Sequence, residues 1–384
     1  ILMKKNIFYW SPCLNPVGTV KSTLNSAISL KKFNKNYNVS IINVCGEWDD
    51  YKEKLYKNSI NLIDLNFKYF NILPKRGFLA SILSYIIIFF LSFLPLYFLL
   101  KKQKPNKIIL HLITSLPLTL LILFKFQTGF ILRISGYPKL NIFRKFFWKL
   151  SSNKIKIITC PTLELKKDFE NQNIFKQDNL YYLPDAIISI KDLTKKNNIP
   201  EFFNSFKDKR IILSAGRLTR QKNFSYLINE FSDFLKNNSE FILIILGEGE
   251  DKKLLSKLIV NKNLTEKIFL LGFKKDIFNY MKNSEIFILS SLWEEVGFVI
   301  VEAAMCNTFV ISSDCPNGPK EFLNNGENGI LFKNNSNKSL SKSLTNYCNL
   351  GKEKIFSDKI TLKKKAKKYT IYSHYLVLNR LLLM

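Results

Sequence analysis

Short apolar runs alternate with amphipathic stretches along most of this chain. Asn6–Trp10 reads as a buried strand, followed by a loop with Asn15, Pro16 and Gly18 and a helix from about Thr19 to Phe33. Further strand signals fall at Val39–Cys45, Ile108–Leu110, Phe130–Arg133 and Ile155–Thr159. Such alternation predicts a mainly parallel sheet with helices on both faces. The pattern breaks near Pro184. Residues 184–208 are polar, carry the Asn197–Asn198 pair and Pro200, and predict a linker. A second series follows, with strands at Arg210–Ala215, Phe241–Leu246, Lys267–Leu271, Glu285–Leu289, Thr308–Ser312 and Gly329–Phe332. After the first of these, Phe224, Leu227, Ile228, Phe231 and Leu235 recur at helical spacing. The expected fold is therefore α/β, with two doubly wound, Rossmann-like halves facing a cleft and ligands at the carboxyl ends of strands. The expected division is residues 1–184, a linker at 185–208, a second domain at 209–350, and a helical tail at 351–384 returning to the first domain.

One apolar run stands apart. Gly77 to Leu100 contains Pro95 and is followed by Lys101 and Lys102. It is long enough to cross a bilayer, for which about 20 apolar residues suffice. Three placements compete: burial on the first sheet, embedding in one leaflet, and a true span. A span would separate the first strands from the rest of their own sheet, so leaflet embedding is favoured and spanning ranks last.

Charge sharpens this picture. The 384 residues include 58 Lys or Arg against 30 Asp or Glu, a formal net charge of +28. From Leu65 to Leu163 there is no carboxylate, while 15 Lys or Arg residues are present. An AT-rich genome would enrich Lys, but would not clear every Asp and Glu from a quarter of the chain. This half is expected to face something anionic. Ile142, Phe143, Phe146, Phe147 and Leu150 form one helical face, with Arg144, Lys145 and Lys149 off it. A basic amphipathic helix with aromatics suits an anionic lipid surface; a core helix is the rival reading. RNA-binding signatures are absent, so no nucleic-acid partner is expected. The six cysteines contain no Cys-x-x-Cys pair and the chain has two histidines, which argues against structural zinc. The first residues hold too few apolar positions for a signal peptide, and Met3 is a candidate start. Together with the scattered cysteines, this suggests a protein of the reducing cytoplasm, at the inner face of the cell membrane.

Candidate chemistry is concentrated in the second half. Ser214-Ala215-Gly216-Arg217-Leu218 ends a strand, and Lys222 precedes a helix. Gly216 permits a close turn, and two cations at a strand's carboxyl end can hold a diphosphate. Glu294 falls in the loop after a later strand, and Glu302 falls inside the helix that starts near Gly297. Backbone N–H groups there, at Gly297, Phe298 and Val299, can donate to a phosphate oxygen. Glu302 is placed for ribose hydroxyls and Glu294 for hydroxyls of a transferred sugar. Two solvated glutamates would be the ordinary reading, but Glu302 lies between Val301 and Ala303, where an unpaired carboxylate is costly.

Gly216-Arg217-Leu218 with Lys222-Asn223, then Leu271-Gly272-Phe273, then Glu294-x7-Glu302-Ala303, then Gly326-Glu327-Asn328-Gly329 resembles the family 4 glycosyltransferases of the GT-B fold. The order and spacing match over about residues 210–335. The resemblance implies that Arg217 and Lys222 bind the donor diphosphate, that Glu294 and Glu302 bind sugar and ribose, and that Gly272 lies beside the base. It implies that Gly18 falls in a loop facing the donor phosphates. His111 falls where many members carry a functional His; an alternative alignment puts that role at Ile113. The chain departs from the pattern at Glu295-Val296, at Cys306-Asn307 and at Pro184-Asp185-Ala186. No Asp-x-Asp occurs, so a metal is not expected, and fixed donors would carry the leaving-group charge. The implied activity is retaining transfer of a hexose from a UDP-linked sugar to a lipid-linked or glycan acceptor in polysaccharide or lipopolysaccharide synthesis. A GT-B nucleotide-sugar epimerase and a non-catalytic binder of anionic membranes are the alternatives.

Overall fold

The computed structural model describes residues 4–14, 18–65, 68–74, 78–136, 138, 140–194 and 198–384. Readings that involve Met3, Asn15, Pro16, Gly77 and Asn197 lie outside the described residues. The chain divides into two compact units, Ile1–Ile187 with Thr370–Met384, and Ile188–Tyr369.

Unit 1 runs β1 (Lys5–Trp10), α1 (Gly18–Phe33), β2 (Tyr37–Asn43), α2 (Lys52–Lys57), β3 (Asn61–Asp64), α3 (Phe78–Gln103), β4 (Lys107–Leu110), α4 (Ser115–Leu123), β5 (Gly129–Arg133), α5 (Ile142–Ser152), β6 (Ile157–Cys160), α6 (Leu163–Gln172) and β7 (Leu180–Tyr182). The seven strands form one parallel sheet in the order β3-β2-β1-β4-β5-β6-β7. Along β1, Phe8 and Trp10 join one core with Leu110, Leu120 and Trp148, while Ile7 and Tyr9 join another with Val20 and Leu378. Apolar residues on both faces are what a two-sided parallel sheet requires. The second strand ends earlier than its apolar run because the Glu47 carboxylate accepts from the N–H groups of Val44 (3.1 Å) and Cys45 (2.8 Å).

Unit 2 contains α7 (Ile190–Leu193), β8 (Arg210–Ala215), α8 (Phe224–Leu235), β9 (Phe241–Leu246), α9 (Lys252–Asn261), β10 (Ile268–Leu270), α10 (Ile277–Lys282), β11 (Ile286–Leu289), α11 (Phe298–Met305), β12 (Phe309–Ser313), α12 (Gly318–Phe322), β13 (Ile330–Phe332), α13 (Ser339–Cys348) and α14 (Lys352–Ala366). Its parallel sheet has the order β10-β9-β8-β11-β12-β13. The periodic face of α8 is buried as its spacing predicts, with Phe224, Leu227, Ile228 and Phe231 packed against Leu243 and Ile245.

The last helix, α15 (Ile371–Leu383), lies in unit 1, packed on α1. His374 links three parts of that unit. Its Nδ1 lies 2.7 Å from the Pro184 carbonyl, which only accepts, so Nδ1–H donates there. Its Nε2 is then the acceptor for Ser26 Oγ at 2.8 Å, and Tyr9 Oη in turn donates to Ser26 at 2.9 Å. Next to this chain of bonds, Asp185 is buried and accepts from Arg133 Nη2 and from Ser22 Oγ, both at 2.5 Å. The start of the segment read as a linker is thus fixed inside unit 1 by a buried ion pair.

The apolar run around Pro95 is one helix, and it is not a buried one. Ser84, Ile88, Ser92, Leu96 and Leu100 make a buried stripe at four-residue spacing, while Leu79, Leu83, Ile86, Phe90, Leu94 and Phe98 are exposed. Its flanking strands, β3 and β4, belong to one sheet, and the stripe packs on the core of that sheet. A bilayer therefore cannot surround it. The apolar face of α5 is also turned outward: Phe143 is 85% exposed, and Ile142, Phe146 and Leu150 are exposed beside it. What α5 buries is Trp148, Ser151 and Ser152.

Candidate functional site

In unit 2 the strand order reverses between β8 and β11, the place where open α/β sheets bind ligands. Both segments singled out in the sequence emerge there. The chain leaves β8 at Gly216, and the stem of Lys222 folds back across that glycine: a Cβ on Gly216 would stand 3.1 Å from Lys222 Cε. Gly247, just after β9, approaches closer still. A Cβ there would meet the Gly216 carbonyl oxygen at 1.8 Å, which no side chain can satisfy. Gly249 likewise abuts the Leu218 carbonyl. Gly272, after β10, has φ +70° and accepts from the Gly247 N–H at 2.9 Å. Three adjacent strand ends are thereby held backbone to backbone.

Lys222 is ion-paired with Glu294, which leaves the loop after β11; their side chains are 15% and 10% exposed. Ser291 Oγ donates to the same carboxylate oxygen at 2.5 Å. The two loops are stitched further by Ser290 Oγ donating to the Lys222 carbonyl (2.7 Å), Leu292 N–H to the Gln221 carbonyl (2.8 Å) and Gln221 Nε2 to the Trp293 carbonyl (2.9 Å). A half-buried pair of this kind presents one cation and one carboxylate whose partners a polar ligand can share. Arg217 stands exposed on the same strand end. Gly297, with φ +72°, opens α11, so the N–H groups of Phe298 and Val299 belong to its first turn. Glu302 lies one turn further in and is buried. Among the described residues no three His, Cys, Asp or Glu side chains group as a metal site.

The order of the first sheet reverses between β1 and β4. A cavity of about 650 Å³ opens at those strand ends, within the ~300–1,000 Å³ typical of small-ligand pockets. It is lined by residues following β1, β4 and β5, by one face of α5, and by Tyr85 of α3. His111, directly after β4, lines it while only 4% exposed, and its Nδ1 is buried without a hydrogen-bond partner. Burial, and secondarily the nearby Arg133 guanidinium, push the His111 pKa well below its ordinary value, so the imidazole is neutral. Ile113, the alternative to His111, lines the same cavity with φ +47°. Gly18 opens α1 and is exposed. Thus Gly216, Lys222, Glu294 and Gly272 share the edge of one sheet, whereas His111 belongs to the other sheet's reversal point.

Three features escaped the sequence reading. Gly247-Glu248-Gly249 directly after a strand was a usable signal for close backbone approach. The pairing of Lys222 with Glu294 spans 72 residues and has no local signal. The cavity is assembled from five separate segments.

The chain is similar to known glycosyltransferases. Residues 195–369 match the family model for glycosyl transferases group 1. That stretch lies within unit 2. The chain is 33% identical over 246 residues to an uncharacterized glycosyltransferase of Methanocaldococcus jannaschii, covering 59% of each chain. It is 35% identical over 140 residues to a Campylobacter jejuni enzyme, N-acetylgalactosamine-N,N'-diacetylbacillosaminyl-diphospho-undecaprenol 4-alpha-N-acetylgalactosaminyltransferase, covering 36% of this chain and 37% of that one. The chain thus spans well under two thirds of the length of these relatives. Fold similarity extends further. A glycosyltransferase from Rickettsia africae superposes with a TM-score of 0.76 at 18% identity, over 98% of this chain and 97% of that one. Anabaena HepE in complex with UDP gives 0.74 at 14% identity, over 99% of both. These likenesses show the GT-B fold for the chain.

Proposed function

We propose that this chain transfers a hexose, with retention and without a metal, from a UDP-linked sugar to a lipid-linked acceptor at an anionic membrane surface on the cytoplasmic side. The observation that carries the reading is the half-buried Lys222–Glu294 pair at the reversal point of the second sheet, beside Arg217 and the first turn of α11. Lys222, Arg217 and the N–H groups of Phe298 and Val299 suit the donor diphosphate. Glu294, already oriented by Ser291, suits hydroxyls of the sugar, and Glu302 suits the ribose. The C1–phosphate oxygen bond breaks as the acceptor oxygen bonds to C1 on the same face, and the acceptor proton passes to the leaving diphosphate. The fixed cations stabilise the charge that grows there. A UDP donor is supported by HepE, seen with UDP. A lipid-linked acceptor is supported by the Campylobacter relative, named for a diphospho-undecaprenol substrate, and by an alpha-monoglucosyldiacylglycerol synthase of Acholeplasma laidlawii, 27% identical over 213 residues. The outward apolar faces of α3 and α5 support the membrane.

The test is incubation of the full chain with bacterial membrane lipids and a panel of nucleotide sugars in excess EDTA, followed by mass spectrometry. A lipid gaining one hexose is expected. Activity abolished by EDTA and restored by manganese would overturn the metal-free reading. An epimerised free nucleotide sugar with no glycosylated lipid would overturn transfer itself.

A further inference from the structure

Glu294 sits in a stretch, Ser291 to Glu294, that belongs to no helix or strand. A loop of this kind has no ladder to satisfy its backbone, so its partners must come from elsewhere. Here every carbonyl from Ser291 to Glu294 accepts from a group of unit 2. Ser313 Oγ donates to the Ser291 carbonyl (2.7 Å), Gln221 Nε2 to that of Trp293 (2.9 Å) and the Asn317 N–H to that of Glu294 (3.1 Å). One side chain serves two of them: Asn334 Nδ2 donates to the carbonyls of Ser291 (3.2 Å) and Leu292 (3.1 Å).

Asn334 follows β13, the edge strand, and β12 lies between it and β11. Its backbone is anchored on the way. The Asn334 N–H donates to Asp314 Oδ1 (2.7 Å), and the Asp314 N–H donates to the Phe332 carbonyl (2.9 Å). The far edge of the sheet is thus tied to the loop that carries Glu294. The amide can lie only one way round, because carbonyls only accept and the NH2 group has two hydrogens to offer them. Its Oδ1 is left buried without a hydrogen bond among the described residues. An oxygen in that state is costly, which makes Asn334 a poor stabiliser of the fold. What it does supply is the course of the loop.

That course decides where Ser291 Oγ stands. The hydroxyl donates to the same Glu294 oxygen that meets Lys222. Lys222, on a flexible four-carbon stem, can follow a displaced carboxylate. Ser291, whose hydroxyl is one carbon from its backbone, cannot. We propose that Asn334 is a positioning residue for sugar transfer: it fixes the backbone of Ser291 and Leu292, so that the Ser291 hydroxyl holds the Glu294 carboxylate where the hydroxyls of the sugar meet it. This role rests on the assignment of Glu294 to the sugar; the fixing of the loop does not.

Trp293, within the loop, is 52% exposed, while the other tryptophans, Trp10, Trp48 and Trp148, are buried in unit 1. In the full chain labelled with 5-fluorotryptophan, the fluorine resonance that Trp293→Phe removes reports on the loop, and the others are internal references. Asn334→Ala should shift and broaden the Trp293 resonance alone, with hydrogen exchange of β9 amides unchanged. Transfer from the hexose donor that the lipid assay identifies should lose about tenfold in kcat with KM within about twofold. In a Glu294→Ala background the same substitution should cost nothing further, because it acts through that carboxylate. Asn334→Asp, which keeps the shape and turns an oxygen on both carbonyls, should be at least as severe.

An unmoved Trp293 resonance would overturn the proposal, as would an equal loss of kcat with and without Glu294. Faster exchange throughout β9 would mark Asn334→Ala as a loss of fold. The same resonances are then read in Asn334→Ser, which has one donor hydrogen for two carbonyls; loss of β9 protection there too would make Asn334 a structural residue and overturn its positioning role. If Glu294→Ala transfers at the wild-type rate, the donor assignment fails and takes the positioning role with it, whereas a Trp293 resonance that still moves keeps the loop clamp.

Discussion

The two sheets reverse their strand order in the same way, yet the two reversal points hold opposite chemistry. In unit 2 the place between β8 and β11 is filled by a lysine–glutamate pair, crossed by glycines that let three backbones touch. In unit 1 the place between β1 and β4 is an open, largely apolar cavity with a neutral imidazole inside. The same topology thus offers the same location twice, and the side chains decide what it can hold. A charged, tightly built edge suits a ligand of fixed shape and high charge. A roomy cavity with an apolar rim suits a ligand that is only partly polar.

The largest expected effect tests the charged side of this contrast. Lys222→Ala should lower turnover by about 100- to 1,000-fold while weakening donor binding much less, because it removes a fixed donor to charge that grows in the transition state. Glu294→Ala should impair transfer and leave UDP binding nearly intact, whereas Glu302→Ala should weaken UDP binding. Calorimetry with UDP beside transfer kinetics separates the three. Near wild-type transfer in all of them would leave unit 2 without its proposed chemistry.

A second test concerns stability. Both histidines of the chain lie in unit 1. Burial pushes His374 down to about 4, against the Pro184 hydrogen bond that acts to raise it, and pushes His111 well below its ordinary 6.5. In the unfolded chain both would titrate near 6.5. The unfolded form therefore takes up protons first, and this contribution, complete above about pH 6.5, is lost as pH falls toward 4. For His374 alone the loss approaches ~3 kcal/mol. Hydrogen exchange, corrected for intrinsic rates, should show unit 1 amides losing protection between pH 6.5 and 4.5 more than unit 2 amides. Equal loss in both units would remove the histidines from the explanation.

The smallest effect concerns the outer face of unit 1. Reversing the charges of Arg144, Lys145 and Lys149 should weaken binding to anionic vesicles by roughly 1 kcal/mol per residue at low salt, and wild-type binding should itself decline as salt rises. UDP binding should not change. Cosedimentation that is no better with anionic than with neutral vesicles would break the link between the acid-free stretch and a lipid surface.

Most strands were legible because each is a short apolar run bounded by polar turns. Those missed lacked that signature. In β3, Asn61 and Asp64 are polar and exposed at a sheet edge, and β7 is only three residues long. The candidate donor residues stood out because strand ends and helix starts are local patterns. What could not be read was anything assembled across distance: Lys222 on Glu294, Arg133 on Asp185, or a cavity wall supplied by Tyr85 and Phe143 together. The outward turn of α5 was expected from the acid-free stretch, with a core helix as the rival. Its apolar face has the spacing of a core helix, and only the packing of Trp148 on Phe169 and Phe175 shows which side the sheet claimed.

The position of α15 bears on how the protein is made. Unit 2 is continuous in the chain, whereas unit 1 is closed by residues 370–384. On the ribosome, the first sheet emerges first but lacks the helix that covers α1 and supplies the partner of Ser26. The second domain, made later, has everything it needs before unit 1 does. Domains usually mature in the order of their synthesis; here the earliest strands must wait, with Ser26 and Phe33 of α1 lacking their α15 partners, until the whole of the other domain has been translated.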